Sequence, residues 1–290
     1  MKPAEFEYVR PSSVAEALEL LREHPEAKLL AGGQSLLTLM NLRLARPELI
    51  IDIGRLTELS RVFDDVDSLI LGTLVTHRVV ETDPLIAARA PLLADAAGYI
   101  GHVGIRNRGT LGGSIAHADP AAEMPLATLV LDATFHVESA VTGRREVRAE
   151  DMFVSFYENA LEPHELLTWI SVPAIRPEQG WGFVEYAHQH GDYGLAGAGA
   201  LITLDTDGRV SEVRTAVLSA ADRPLLFTQT VDARPSEALW EELAHLWAVQ
   251  TDPAAEDRDY AQRLCAAALV EALTAAEGRA REEELSDARL

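Results

Sequence analysis

Two glycine pairs hold the clearest chemistry in this sequence. Gly32-Gly33 stands in Ala31-Gly32-Gly33-Gln34-Ser35, behind the apolar run Leu29-Leu30-Ala31 and ahead of the leucine-rich stretch LLTLMNLRL. Gly112-Gly113 follows 80 residues later, in Thr110-Leu111-Gly112-Gly113-Ser114. In both, a small or apolar residue precedes the pair and a hydrogen-bonding side chain follows it. Glycine accepts positive φ and lets another group come close to the main chain, at a cost of roughly 0.5–1 kcal/mol in regular structure. One pair makes a tight turn. Two pairs can turn bare N–H groups toward a diphosphate from both sides, and that grip needs no net positive charge. No G-x-G-x-x-G, G-x-x-x-x-G-K-[ST], G-x-S-x-G or H-E-x-x-H occurs, so a dinucleotide held here is not held in the Rossmann manner.

The flanking elements must position these pairs. Ser13-Val14-Ala15-Glu16 reads as a capping box, and Ala17, Leu18, Leu20 and Leu21 are spaced for a helix ending before Pro25. A short strand from Lys28 to Ala31 runs into the first glycine pair. Leu37 to Leu44 reads as a helical turn, and ELIIDI (48–53) as a buried strand. This alternation makes a small α/β unit with its loop at the carboxyl end of a strand, where open α/β sheets bind ligands.

From Leu56 the texture changes. SLILGTLVTH reads as a strand entering a helix, PLLADAAGYIGH as a helix, and 103–125 as a long glycine-bearing segment between helical stretches. ATFHVESAVTGRREVRA predicts a hairpin turning near Thr142-Gly143, and ELLTWISVP a strand closed by Pro173. Asp207-Gly208 joins two alternating strands. Helices are predicted near Ser236–Val249 and Asp257–Glu277, with a charged, frayed tail from Arg279. The expected parts are 1–55, 56–177 and 178–290.

Composition narrows the function classes. The chain has 290 residues, 46 acidic against 25 basic, for a formal net charge of −21. Such a surface repels nucleic acid and anionic membranes. The single cysteine, Cys265, lies in an apolar helical pattern and reads as a buried small hydrophobe. It excludes an internal disulfide and any iron–sulfur cluster or zinc site held by this chain's own cysteines. The first residues show no basic-then-apolar signal segment, and no apolar run reaches ~18 residues, so a cytoplasmic protein without an integral membrane segment is expected.

AGGQSLLTLMNLRLARPELIIDI together with IRNRGTLGGSIAHADPAAEMP resembles the FAD-binding medium subunit of the molybdenum hydroxylases. That family includes the flavoprotein subunits of carbon monoxide dehydrogenase, nicotine dehydrogenase and xanthine dehydrogenase. The likeness runs from FEYVRPSSVAEALELL through GDYGLAGAGA to DRDYAQRLCAAALVEAL. It implies an α+β fold of the vanillyl-alcohol-oxidase type, with two subdomains holding FAD and a C-terminal α+β domain like that of the carbon monoxide dehydrogenase flavoprotein.

Carried over residue by residue, the resemblance implies that Ala31, Gly32, Gly33, Gln34 and Ser35 form one wall against the FAD diphosphate. Thr110, Leu111, Gly112, Gly113 and Ser114 form the other. It further implies Glu123 and Asp119 as acceptors for sugar or ribityl hydroxyls, Leu167 near the flavin ring, and Tyr193 beside the isoalloxazine. The residues alone also allow Asp119 and Glu123 as helix N-terminal charges and Leu167 as strand core. Arg106 and Arg108 could face an anionic cofactor or partner, or could be structural. His102, His117, His188 and His190 lack the spacing and further ligands of a metal site, so no metal is assigned. Relatives carry basic residues before GDY where this chain reads YAHQHGDY, which puts a fixed positive charge beside the flavin in question.

The implied partners are a large molybdopterin subunit and a small subunit with two [2Fe–2S] clusters, in a dimer of heterotrimers. FAD then collects electrons for an external acceptor, and the lack of an NAD fingerprint favours a quinone or other non-NAD acceptor. Two competing readings are a stand-alone FAD-linked oxidoreductase and a flavin-free scaffold subunit.

Overall fold

The computed structural model describes residues 2–254 and 257–287, with side chains through 281. The chain begins as β1 (Glu7–Val9), α1 (Val14–Glu23), β2 (Lys28–Leu30), α2 (Leu36–Asn41) and β3 (Leu49–Asp52). These strands form a parallel sheet in the order β1-β3-β2. Ser13 caps α1 by accepting from the Glu16 N–H, but Glu16 answers at the N–H and hydroxyl of Ser12 rather than at Ser13, a shifted form of the predicted capping box. The helix ends at Glu23, ahead of Pro25 as expected.

A five-stranded sheet follows, built from β4 (Val62–Asp65), β5 (Ser68–Gly72), β6 (Thr134–Ser139), β7 (Gly143–Arg148) and β10 (Leu166–Pro173) in the order β4-β5-β10-β6-β7. Between β5 and β6 come six helices: α3 (His77–Thr82), α4 (Pro84–Arg89), α5 (Pro91–Ala97), α6 (Val103–Arg106), α7 (Leu111–His117) and α8 (Glu123–Val130). Proline opens α4 and α5, where its missing N–H costs nothing. Between β7 and β10 lie α9 (Ala149–Met152) and the small pair β8 (Phe153–Ser155) and β9 (Glu158–Asn159). The helices cover one face of the sheet, where Leu69, Leu71, Phe135, Ile170 and Val172 are buried.

The last third is an antiparallel sheet of β11 (Gln179–Tyr186), β12 (Ala196–Leu204), β13 (Val210–Leu218) and β14 (Leu225–Ala233), covered by α10 (Glu237–Ala248) and α11 (Arg258–Asp287). Helix α11 lies directly on β11, because a Cβ at Gly180 or Gly182 would stand 2.0 Å from the carbonyl oxygen of Ala276 or Ala272. Cys265 is buried in that interface, as expected.

Three segments differ from the sequence expectation. The stretch 103–125 is not one open segment but α6, α7 and the start of α8, because His102 and Thr110 each cap a short helix. Strands β4, β11 and β14 carry glycines or exposed polar residues and show no clear alternation. The tail is helical to Asp287: Arg279 stacks 4.6 Å from the Trp181 ring centroid and pairs with Asp95 at 3.2 Å, which anchors α11 beyond the expected end. Residues 288–290 of that tail lie outside the described residues.

Candidate functional site

The first glycine pair leaves β2 at the carboxyl edge of the parallel sheet. Gly33 has φ +76°, the left-handed region that glycine tolerates, and turns the chain into α2 with Ser35 as its N-cap. Among the described residues, the N–H groups of Gly32, Gly33, Gln34 and Ser35 donate to no protein acceptor. Four consecutive bare N–H groups ahead of a helix make an anion cradle. Gln34 folds back so that its amide donates to the Gly32 carbonyl at 3.3 Å, and the Ser35 hydroxyl makes no capping bond.

The second pair is built differently. Gly112 and Gly113 lie in the first turn of α7, capped by Thr110, whose hydroxyl accepts from the Gly113 N–H at 3.1 Å. The Leu111 and Gly112 N–H groups donate to the carbonyls of Val75 and Thr73, and the Ser114 N–H to that of Thr110. The expectation that both motifs offer free N–H groups therefore holds for the first only. Gly112 is glycine because an added Cβ would stand 1.6 Å from the Thr73 hydroxyl oxygen. What this motif presents is the positive end of a short helix with the Ser114 and Thr110 hydroxyls.

The fold brings the two motifs together. A Cβ at Gly32 would stand 2.0 Å from the Arg108 carbonyl oxygen, and one at Gly113 would lie 3.9 Å from the Ala31 Cβ. A diphosphate fits the facing walls on this donor set, with N–H groups on one side and hydroxyls with a helix end on the other.

The remaining predicted residues divide. Asp119 is buried and accepts from the Ala121 N–H at 2.9 Å, with the Tyr157 hydroxyl at 3.5 Å. Glu123 opens α8, and burial together with the charge of Asp119 pushes its carboxyl up to about 7. Tyr193, in the loop between β11 and β12, is 72% exposed; partial desolvation of its phenol, then the charges of Asp119, Tyr157 and Glu123, raises its pKa. Asp119, Glu123 and Tyr193 thus lie within electrostatic reach of one another. Leu167 lies in the apolar core of the five-stranded sheet, 3% exposed.

Arg106 has the structural arrangement that the sequence also allows. It is buried, pairs with Glu81 at 2.9 Å and donates to the carbonyls of Ile100 and Gly101. Arg108 stays exposed and contributes its carbonyl to the contact with Gly32. His102 caps α6, and the His117 ring lies 5.0 Å from that of Tyr157.

Three neighbours escaped the sequence reading. Thr73 seats Gly112. His77 is buried beside Gly109 with its Nδ1 unpartnered, and burial lowers its pKa to about 4, so it stays neutral at physiological pH. Glu185 has a buried Oε2 without a partner among the described residues, and burial, then the charge of Glu123, pushes its carboxyl up to about 8. None of the three sits in a motif that marks it. A larger hollow of about 860 Å³ on the open face of the five-stranded sheet is lined by Phe63, His136, Trp169 and their neighbours, and by none of the predicted residues.

A family profile described as the FAD binding domain in molybdopterin dehydrogenase matches residues 4–175. The chain is 41% identical over 219 residues to the 6-hydroxypseudooxynicotine dehydrogenase complex subunit alpha of Paenarthrobacter nicotinovorans, covering 75% of this chain and 74% of that protein. It is 38% identical over 226 residues to the carbon monoxide dehydrogenase medium chain of Hydrogenophaga pseudoflava, covering 78% of each. A solved structure of the carbon monoxide dehydrogenase from Hydrogenophaga pseudoflava, lacking the Mo-pyranopterin moiety of its molybdenum cofactor, superposes with a TM-score of 0.91 at 35% identity, over 96% of this chain and 99% of the solved one.

Proposed function

The chain belongs to the FAD-binding medium subunits of the molybdenum hydroxylase family, components of oxidoreductases, and from that premise we propose how its residues hold FAD and where the electrons go. The observation that carries the proposal is the set of unbonded N–H groups at Gly32, Gly33, Gln34 and Ser35 facing the capped first turn of α7. These N–H groups bind the diphosphate from one side. The Ser35, Thr110 and Ser114 hydroxyls and the N-terminal end of α7 complete the grip, with Ala31, Leu111, Gly112 and Gly113 forming the walls. Glu123 and Asp119 accept hydrogen bonds from ribityl or sugar hydroxyls, and Tyr193 covers the ring system from the third part of the chain. Leu167, buried on β10, packs near the flavin ring in this reading.

Bound FAD would supply the redox chemistry, since a flavin can exchange one electron or two. The protein contributes position and electrostatics. Its one cysteine leaves iron–sulfur ligation to other chains, and in the family reading electrons reach this subunit from the [2Fe–2S] clusters of a small partner, which drains a large molybdopterin subunit. They leave for an external acceptor other than NAD. The full assembly is a dimer of heterotrimers in the cytoplasm. The divisions 1–55, 56–177 and 178–290 give the site two FAD-binding walls and one covering domain, a reading supported by the three large sheets.

The test is purification of the complex from cells producing all three chains. Co-elution with a molybdopterin chain and an iron–sulfur chain, and flavin bleaching when the complex meets its substrate, is the expected result. Recovery of this chain alone with full turnover would favour a stand-alone flavin enzyme instead.

A further inference from the structure

Among the described residues five that are not glycine take a left-handed backbone, and three of those meet at one place. Ala118 (φ +52°) ends α7, Tyr157 (φ +55°) turns the chain between β8 and β9, and Ser219 (φ +57°) follows β13. A side chain makes that conformation unfavourable, so it persists only where surrounding contacts demand it. Hydrogen bonds join all three residues to the segment 116–120. The Tyr157 N–H donates to the Ala118 carbonyl at 3.3 Å, and the Tyr157 hydroxyl stands 3.5 Å from the Asp119 carboxylate. The Asn159 amide donates to the Ala116 carbonyl at 2.7 Å, so the β8–β9 turn is fastened twice. Ser219 donates its N–H to the Pro120 carbonyl at 3.0 Å.

Ser219 also reaches the loop that carries Tyr193. Its hydroxyl donates to the Gly194 carbonyl at 2.6 Å, one residue after Tyr193. One left-handed residue thus holds the Asp119 turn with its N–H and the Tyr193 loop with its side chain. Among the described residues this is the one side-chain hydrogen bond made to 187–194, so no other would replace it. The remaining ties of the loop are backbone ones. A Cβ at Gly191 would stand 2.5 Å from the Gly101 carbonyl oxygen, and the Leu195 N–H donates to the Tyr186 carbonyl at 2.7 Å. The turn that bears Ser219 is itself anchored. Asp252 donates its N–H to the Ala220 carbonyl at 2.7 Å, and Arg223 donates to the Val154 carbonyl at 2.9 Å.

We propose that Ser219 is the positioning residue that sets the Tyr193 ring against bound flavin, by tying the Tyr193 loop to the turn that carries Asp119. The inference rests on the FAD reading above, in which Tyr193 covers the ring system. Ser219 acts through Tyr193 and takes no part in electron transfer itself. Its left-handed backbone is retained because one residue must meet two carbonyls from different parts of the chain. A tyrosine held against the isoalloxazine quenches the fluorescence of the flavin, which gives the arrangement a signature separate from stability.

The test compares the purified complex with its Ser219→Gly, Tyr193→Ala and doubly substituted forms. Glycine keeps the left-handed backbone and the N–H to Pro120 and removes only the hydroxyl, so Ser219→Gly should melt close to the wild type. FAD content is measured first, then the fluorescence yield of the bound flavin. At equal FAD content, Ser219→Gly and Tyr193→Ala should each raise the yield severalfold. The double variant should raise it no further than Tyr193→Ala, because the hydroxyl acts through that ring. A merely structural Ser219 would move the melting temperature and leave the yield alone. An unchanged yield in either single variant, independent effects that add in the double variant, or loss of FAD from Ser219→Gly alone overturns the inference and leaves the FAD reading intact. Absence of FAD from the wild-type chain overturns both.

Discussion

Gly32 is where the two halves of the site touch backbone to backbone. Its missing side chain leaves room for the Arg108 carbonyl, and any Cβ there stands 2.0 Å from that oxygen. Gly32→Ala must therefore push the motifs apart, at a cost of about 1–3 kcal/mol for overpacking. The expected outcome is a lowered melting temperature and a larger loss of bound FAD than the same substitution causes at Gly143, which has open space around it. Equal FAD loss at both positions would argue against contact between the motifs as the source of binding. Glu185 makes a second prediction, on the protein freed of flavin. Its folded pKa lies above its unfolded value, so the stability it contributes is complete below about pH 4.5 and is lost as pH rises to about 8. Glu185→Gln stays neutral and should flatten the fall in melting temperature over that range, becoming the more stable protein at pH 8. The glycines were legible because residue type and spacing carry their meaning. Glu185 was not, because its unpaired carboxyl is a product of packing between β11, α5 and α8, which no local pattern records.

The elements show the same division. The capping signals before α1, the buried strand β3 and the turns at Gly143 and Gly208 are local devices, and the structure has each of them. Strands β4, β11 and β14 were hidden because their residues answer to neighbours: Gly180 and Gly182 weaken a strand in isolation yet admit α11 against it. The second glycine motif looked like a second loop and is a helix start instead. Its Thr110 cap follows the rule for helix N-termini, but the likeness of AGGQS to LGGSI obscured it. Thr110→Ala removes the acceptor for the Gly113 N–H and should destabilise the protein by about 0.5–2 kcal/mol. Denaturant unfolding of the protein without flavin measures that cost, and Thr110→Ser, which keeps the hydroxyl, should recover most of it. Full recovery by Thr110→Val as well would mean that shape alone matters there.

Across the whole molecule, the site exists because three sheets are locked together. Ile53 and Leu56 pack with Leu59, Leu74 and Leu166, which ties the first sheet to the second. Arg214 of β13 reaches the carbonyls of Leu129 and Val130 at the end of α8 and the Asp132 carboxylate, so the third sheet holds the helix that begins at Glu123. In the proposed site, the diphosphate walls, the ribityl acceptors and the covering tyrosine would come from three different parts of the chain. The net charge of −21 fits a grip made by N–H groups rather than by lysine or arginine. The most direct test of that account is the FAD content of the purified wild-type chain, by absorption spectrum and by chromatography of the cofactor released on denaturation. The account predicts FAD in a one-to-one ratio with the chain. Intact, folded chain that takes up no FAD when it is supplied in excess would contradict it and leave the glycine motifs as turns in a scaffold.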